Sequence, residues 1–168
     1  AAWWFGLLVA GTLASVPAIA ADPRTVRIGA LEIAFDAERW RVDDRSADAI
    51  TMRPLGPLAR KLDPVQILQA PATDLDACTP LVRAQLAIRN YSPAKAEPFA
   101  LGSRAAVRLL GASGCRNATA RGVAICTFVA GHAYVLVAGN GSCRNGGVNL
   151  FSGIDPLEEL AAGARFVP

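Results

Sequence analysis

Residues Ala1 to Ala21 carry no charge, so every Lys, Arg, Asp and Glu of this chain falls within residues 22–168. The apolar core Trp3–Val16 is followed by a helix breaker, Pro17, and the small-residue run Ala18-Ile19-Ala20. That order is the pattern of a secretory signal peptide with cleavage after Ala20. A basic leader is then expected ahead of Ala1. The length also suits a retained anchor, since about 20 apolar residues span a bilayer as a helix. Pro17 and the many alanines dilute the hydrophobicity and favour cleavage. Both readings place residues 22–168 outside the cytoplasm, in the periplasm or beyond it, with the membrane available as a partner only through residues 1–21.

The remaining chain is expected to form a single α+β domain over 22–168, long enough to bury roughly two thirds of the surface that its unfolded form exposes. Such a core stands without covalent help, so its cysteines would be reinforcement. The charge balance is mild, 17 basic against 14 acidic residues for a net +3. Arginines alternate with acids, as in Glu38-Arg39-Trp40-Arg41-Val42-Asp43-Asp44-Arg45. Nucleic-acid binders gather their cations on one face, so nucleic acid is excluded as a partner class.

Four cysteines lie in this part: Cys78, Cys115, Cys126 and Cys143. An even number in an exported chain implies a disulfide framework with three possible connectivities. No C-x-x-C occurs, which argues against a thioredoxin-like redox site or a zinc ribbon, and no C-x-x-C-H marks a haem. Leu101–Leu110, Gly122–Ala130 and His132–Ala138 read as three strands of a meander. Cys115 and Cys143 then fall at the same end of the sheet, while Cys126 is mid-strand and Cys78 begins a helix able to pack on it. These placements favour Cys115–Cys143 and Cys78–Cys126, with Cys115–Cys126 as the rival.

The apolar positions of Thr25–Phe35 alternate with period two and change phase at Gly29-Ala30, predicting a strand pair or a strand bent at glycine. Trp40-Arg41-Val42, Ala49–Arg53 and Val65–Leu68 read as further strands. Thr79-Pro80 offers a cap residue and a first-turn proline for a short helix through Arg89. Tyr91–Pro98 and Gly111–Gly122 read as loops. Asp155-Pro156 opens a closing helix, with Leu157, Leu160, Ala161 and Ala164 on one face.

This order resembles the PsbP-like fold of small exported α/β/α sandwiches, named for an extrinsic subunit of photosystem II. The residues that carry the resemblance are Gly29-Ala30-Leu31-Glu32-Ile33-Ala34-Phe35, then Trp40-Arg41-Val42, and Leu157–Phe166 at the end. The resemblance implies a mostly antiparallel sheet with packed helices, and a protein without chemistry of its own, often an accessory subunit or a lipid-tethered surface protein. Four cysteines are not part of that pattern, and no ligand residue carries across.

His132 is the only histidine, so a Ser-His or Cys-His mechanism must use it. It sits in the turn Ala130-Gly131-His132, which reads more simply as a surface turn. Gly139–Gly147 is rich in glycine but lacks the G-x-x-x-x-G-K-[ST] of a phosphate cradle. Asp74 and Asp76 are too few for a calcium loop and suit helix capping. Asn117-Ala118-Thr119 matches a glycosylation acceptor, although the Ala- and Arg-rich composition looks bacterial. Trp40 and Phe35 read as core. With no catalytic, metal or cofactor set in view, the chain is expected to act without catalysis by binding a protein partner of the cell envelope. A hydrolase built on His132 and a thiol-redox protein are the competing classes.

Overall fold

The turn at Gly29-Ala30 separates two strands. The computed structural model describes residues 23–60, 62–115, 118–139 and 156–168; the apolar N-terminal segment and Cys143 lie outside them. β1 (Pro23–Ile28) and β2 (Leu31–Asp36) form an antiparallel hairpin in which Ile28 faces Leu31. Gly29 turns the chain with φ 52°. Leu31, Ile33 and Phe35 are buried on one side of β2, the period-two pattern of a half-covered strand.

Two meanders build the large sheet. β3 (Trp40–Arg45), β4 (Ala49–Pro54) and β5 (Val65–Pro71) follow one another, a short 3-10 helix Gly56–Arg60 lying between the last two. The chain then crosses through α1 (Cys78–Ile88) and returns as β6 (Ser92–Pro93), β7 (Glu97–Leu101), β8 (Arg104–Cys115), β9 (Ala118–Val129) and β10 (His132–Gly139). The strand order is β3-β4-β5-β10-β9-β8-β6, with β7 also on β8, and every pair is antiparallel. The closing helix α2 (Pro156–Ala162) leads into β11 (Ala164–Phe166), which adds to β2. The result is a mostly antiparallel α+β fold.

Alternation along the central strands sorts two cores. Ala133, Val135 and Val137 of β10 join Cys78, Val82 and Leu86 of α1 on one face. Tyr134, Leu136 and Ala138 join Leu31, Ile33, Trp40, Leu157 and Leu160 on the other. Burying Val82 and Leu86 contributes roughly 1.5–3 kcal/mol each. The layers are therefore α1, the large sheet, and a third layer of β1-β2-β11 with α2. Tyr134 ties that third layer down: its hydroxyl accepts from the Ala30 N–H at 3.0 Å, and its ring meets Phe166 edge-on at 5.8 Å.

Five expectations change. Tyr91–Pro98, expected as a loop, contributes Ser92–Pro93 and Glu97-Pro98 to strands paired with β8. Leu101–Leu110 is two strands with a reversal at Gly102-Ser103, where Leu101 pairs Arg104. Gly111–Gly122, expected as a loop, continues the β8–β9 ladder out to Cys115 opposite Ala118, because small residues without apolar alternation still satisfy their backbone by pairing. Helix α1 starts at Cys78, and its cap position is Ala77 rather than Thr79. Ala164 is buried on the expected apolar face but belongs to a strand, since backbone pairing with Ile33 of β2 replaces another helical turn.

Candidate functional site

Cys78 and Cys126, one of the two favoured pairs, are bonded across a Cα–Cα distance of 5.5 Å. The bond staples the first turn of α1 to the middle of β9, and both residues are fully buried. Cys126 is thereby unavailable to Cys115. The partner of Cys115 is not decided, because Cys143 lies outside the described residues.

The residues singled out for chemistry stay apart. His132 begins β10 opposite Pro71, and its Nδ1 lies 3.2 Å from the carbonyl oxygen of Ala130, two residues back. Among the described residues no side-chain carboxylate is hydrogen-bonded to it, so none of them orients it as a base. Ala130 and Gly131 have φ of 50° and 82°, the double left-handed conformation of a two-residue hairpin that glycine relieves. Asp74 does a structural job: Oδ1 accepts the Ala77 N–H at 3.1 Å and Oδ2 accepts the Thr73 hydroxyl at 3.1 Å. Of the Gly139–Gly147 stretch only Gly139 is described, and Asn117 lies outside the described residues. Among the described residues no group of three His, Cys, Asp or Glu could hold a metal.

A different cluster assembles at the C-terminal end of α1. Arg89 donates from Nη1 to the Gln85 carbonyl at 2.7 Å and to Gln85 Oε1 at 2.8 Å, and from Nη2 to Gln66 Oε1 of β5. A cation suits this end of the helix dipole. Among the described residues no carboxylate pairs with it, and burial holds its guanidinium below the usual arginine range. Tyr91 lies two residues on. Burial pushes its phenol up, the Asp63 carboxylate adds to that, and Arg89 opposes it. Next to Arg89, Ile88 is 72% exposed.

Tyr91 itself rests on a row of three glycines. Gly111, Gly122 and Gly139 stand side by side across β8, β9 and β10. A Cβ would lie 2.8 Å from Tyr91 Cβ at Gly111 and 2.7 Å from Tyr91 Cδ2 at Gly122, and against the hydroxyl at Gly139. The missing side chains make the slot that holds the ring. No motif announced this cluster: Gln66 and Arg89 are 23 residues apart, and the glycines align only through strand register. The Gly111–Gly122 spacing was the available signal.

No protein-family model and no curated protein matches the chain. Solved structures do. The chain is similar to cyanobacterial PsbP (CyanoP) from Synechocystis sp. PCC 6803, with TM-score 0.57 and 11% identity over 94% of this chain and all (100%) of that one. Weaker likenesses are to a Bacteroides thetaiotaomicron protein (TM-score 0.47, 10% identity, 83% of this chain and 46% of that one) and to LpqN of Mycobacterium tuberculosis (TM-score 0.44, 15% identity, 88% and 91%), described as involved in cell envelope biogenesis. What the chain shares with cyanobacterial PsbP is its fold: this is a PsbP-like protein in architecture.

Proposed function

We propose that this chain is an exported protein that acts by binding, without catalysis, as an accessory subunit of a cell-envelope complex or as a free periplasmic factor. The observation that carries the reading is Arg89, a half-buried cation fixed by two glutamines, without a carboxylate partner among the described residues and beside the exposed Ile88. Placed so, a guanidinium is suited to recognition, and His132 on its separate turn offers no comparable set for hydrolysis. The Cys78–Cys126 disulfide supports an oxidising compartment. Among the described residues, which do not include 1–21, no helix is long and apolar enough to cross a membrane.

Native membranes solubilised gently, resolved by native electrophoresis and mapped by mass spectrometry test the reading. Co-migration with a large assembly supports the subunit version. A small soluble species beginning near Ala21 supports the free factor. Turnover of a hydrolysable substrate that His132→Ala abolishes would overturn the binding reading.

A further inference from the structure

We infer that the corner between α1 and the β4–β5 half of the large sheet docks an acidic, apolar segment of a partner protein, with Arg89 receiving a carboxylate and Ile88 an apolar side chain. The inference rests on the binding role proposed above and gives that role a place and a partner chemistry.

The corner follows from how little of the sheet α1 covers. The helix packs on β8, β9 and β10. Leu68 and Gln66 of β5 pair with Val135 and Val137, which face α1, so they point to the same side of the sheet. Ala49 and Thr51 of β4 pair with Leu68 and Gln66 in turn and extend that floor. All four are only half-buried. At about 100° per residue, Leu81, Gln85 and Ile88 share one flank of the helix, and the bond from Arg89 to Gln66 shows that this flank overlooks β5.

The occupant follows from charge and polarity. Helix α1, Cys-Thr-Pro-Leu-Val-Arg-Ala-Gln-Leu-Ala-Ile, contains no acid. Arg89 bonds Gln66 on the floor of the corner, and its Nε–H makes no hydrogen bond among the described residues. Burial already disfavours its charge. Asp43, the acid at the far rim, is taken: Arg53 bonds it at 2.5 Å and Arg41 at 3.2 Å. Asp63 acts on Tyr91 but makes no ion pair with Arg89 among the described residues, so a carboxylate supplied from outside completes the site, and a planar guanidinium binds one through paired hydrogen bonds. Ile88 beside it is the large exposed apolar anchor typical of an interface centre flanked by arginine. A lipid surface would ask for a broader basic face than one bounded by Asp43 and Asp44.

The test uses the full chain in its native host, with a photoreactive benzophenone side chain at position 88 and, as a control, at position 165 in the third layer. The expected result is one adduct from position 88 whose partner peptide carries Asp or Glu beside bulky apolar residues. Its yield should fall at least about tenfold in Arg89→Gln, the size of a hot-spot loss, and fall less in Arg89→Lys. Ile88→Glu, at an exposed site that folding does not need, should remove the chain from its complex on native electrophoresis. No adduct at 88, an adduct indifferent to Arg89→Gln, or one mapping to lipid or to a second copy of this chain overturns the inference. If the chain still co-migrates with a complex in those cases, the binding role stands and only the docking face is wrong. If no complex and no adduct form at either position, the subunit version of the binding role fails together with the docking face.

Discussion

The ring of Tyr91 lies so close to Gly122 that a Cβ added there would stand 2.7 Å from Tyr91 Cδ2. The aromatic ring occupies the space that side chains would fill on three neighbouring strands, and it closes the end of the α1 core. Gly122→Ala should therefore destabilise the fold by about 1–3 kcal/mol, the usual cost of overpacking. In a Tyr91→Ala background the same change should cost much less, because the clash is gone. Urea midpoints of the four proteins measure the coupling. Additive costs would mean that the ring and the glycine do not constrain each other.

Breaking the staple between α1 and β9 should also be costly. The bond closes a loop with a sequence separation of 48, worth about 4 kcal/mol on loop entropy alone. The Cys78→Ala, Cys126→Ala double variant is expected to lose about 2–4 kcal/mol in chemical denaturation. Wild type in reductant should approach the same midpoint. A loss below 1 kcal/mol would show that packing of Val82 and Leu86 suffices to hold the helix.

Tyr91 makes the alkaline limb of stability readable. Its phenol is raised in the folded chain above the ordinary value near ~10, so folding favours the neutral form. That contribution is fully present below the unfolded value and is lost as pH rises through the folded one. Stability should fall above about pH 10, and Tyr91→Phe should flatten that fall. Thermal melts between neutral pH and the alkaline limb decide it, and an unchanged slope in the variant would refute the assignment.

Trp40 is 1% exposed, and its Nε1 has no hydrogen-bond partner among the described residues. An orphaned buried donor costs about 1–3 kcal/mol. Trp40→Phe removes that cost while keeping most of the apolar bulk, so the net loss should stay under about 2 kcal/mol. Trp40→Ala should lose about 3–5 kcal/mol. A Trp40→Phe loss well above about 2 kcal/mol would show that the indole N–H is not an unsatisfied donor.

Strands with a buried face were legible because burial writes a period of two into the chain. Leu31-Glu32-Ile33-Ala34-Phe35 and the turn at Gly29-Ala30 announce themselves, and so do Val82 and Leu86 on α1. Cys78–Cys126 could be favoured because a mid-strand cysteine and a helix-start cysteine face each other once the helix packs on the sheet. The Gly111–Gly122 ladder was hidden because its sequence is rich in glycine and polar residues and lacks the apolar alternation that marks a half-buried strand. Strand β11 was hidden because Ala164 and Phe166 also suit a helix, and only the waiting edge of β2 decides between them.

By itself, then, the sequence determined the local pieces: a charge-free N-terminal segment, alternating strands, an acid-free helix and the even set of cysteines. Each depends on neighbours a few residues apart, where side-chain spacing settles the backbone. The tertiary structure alone decided the site. Gln66 meets Arg89, and three glycines from three strands make a bed for Tyr91, only because sheet register and the crossing of α1 bring distant segments together. Burial is set by that assembly, and it holds the Arg89 guanidinium half-buried with no carboxylate partner among the described residues.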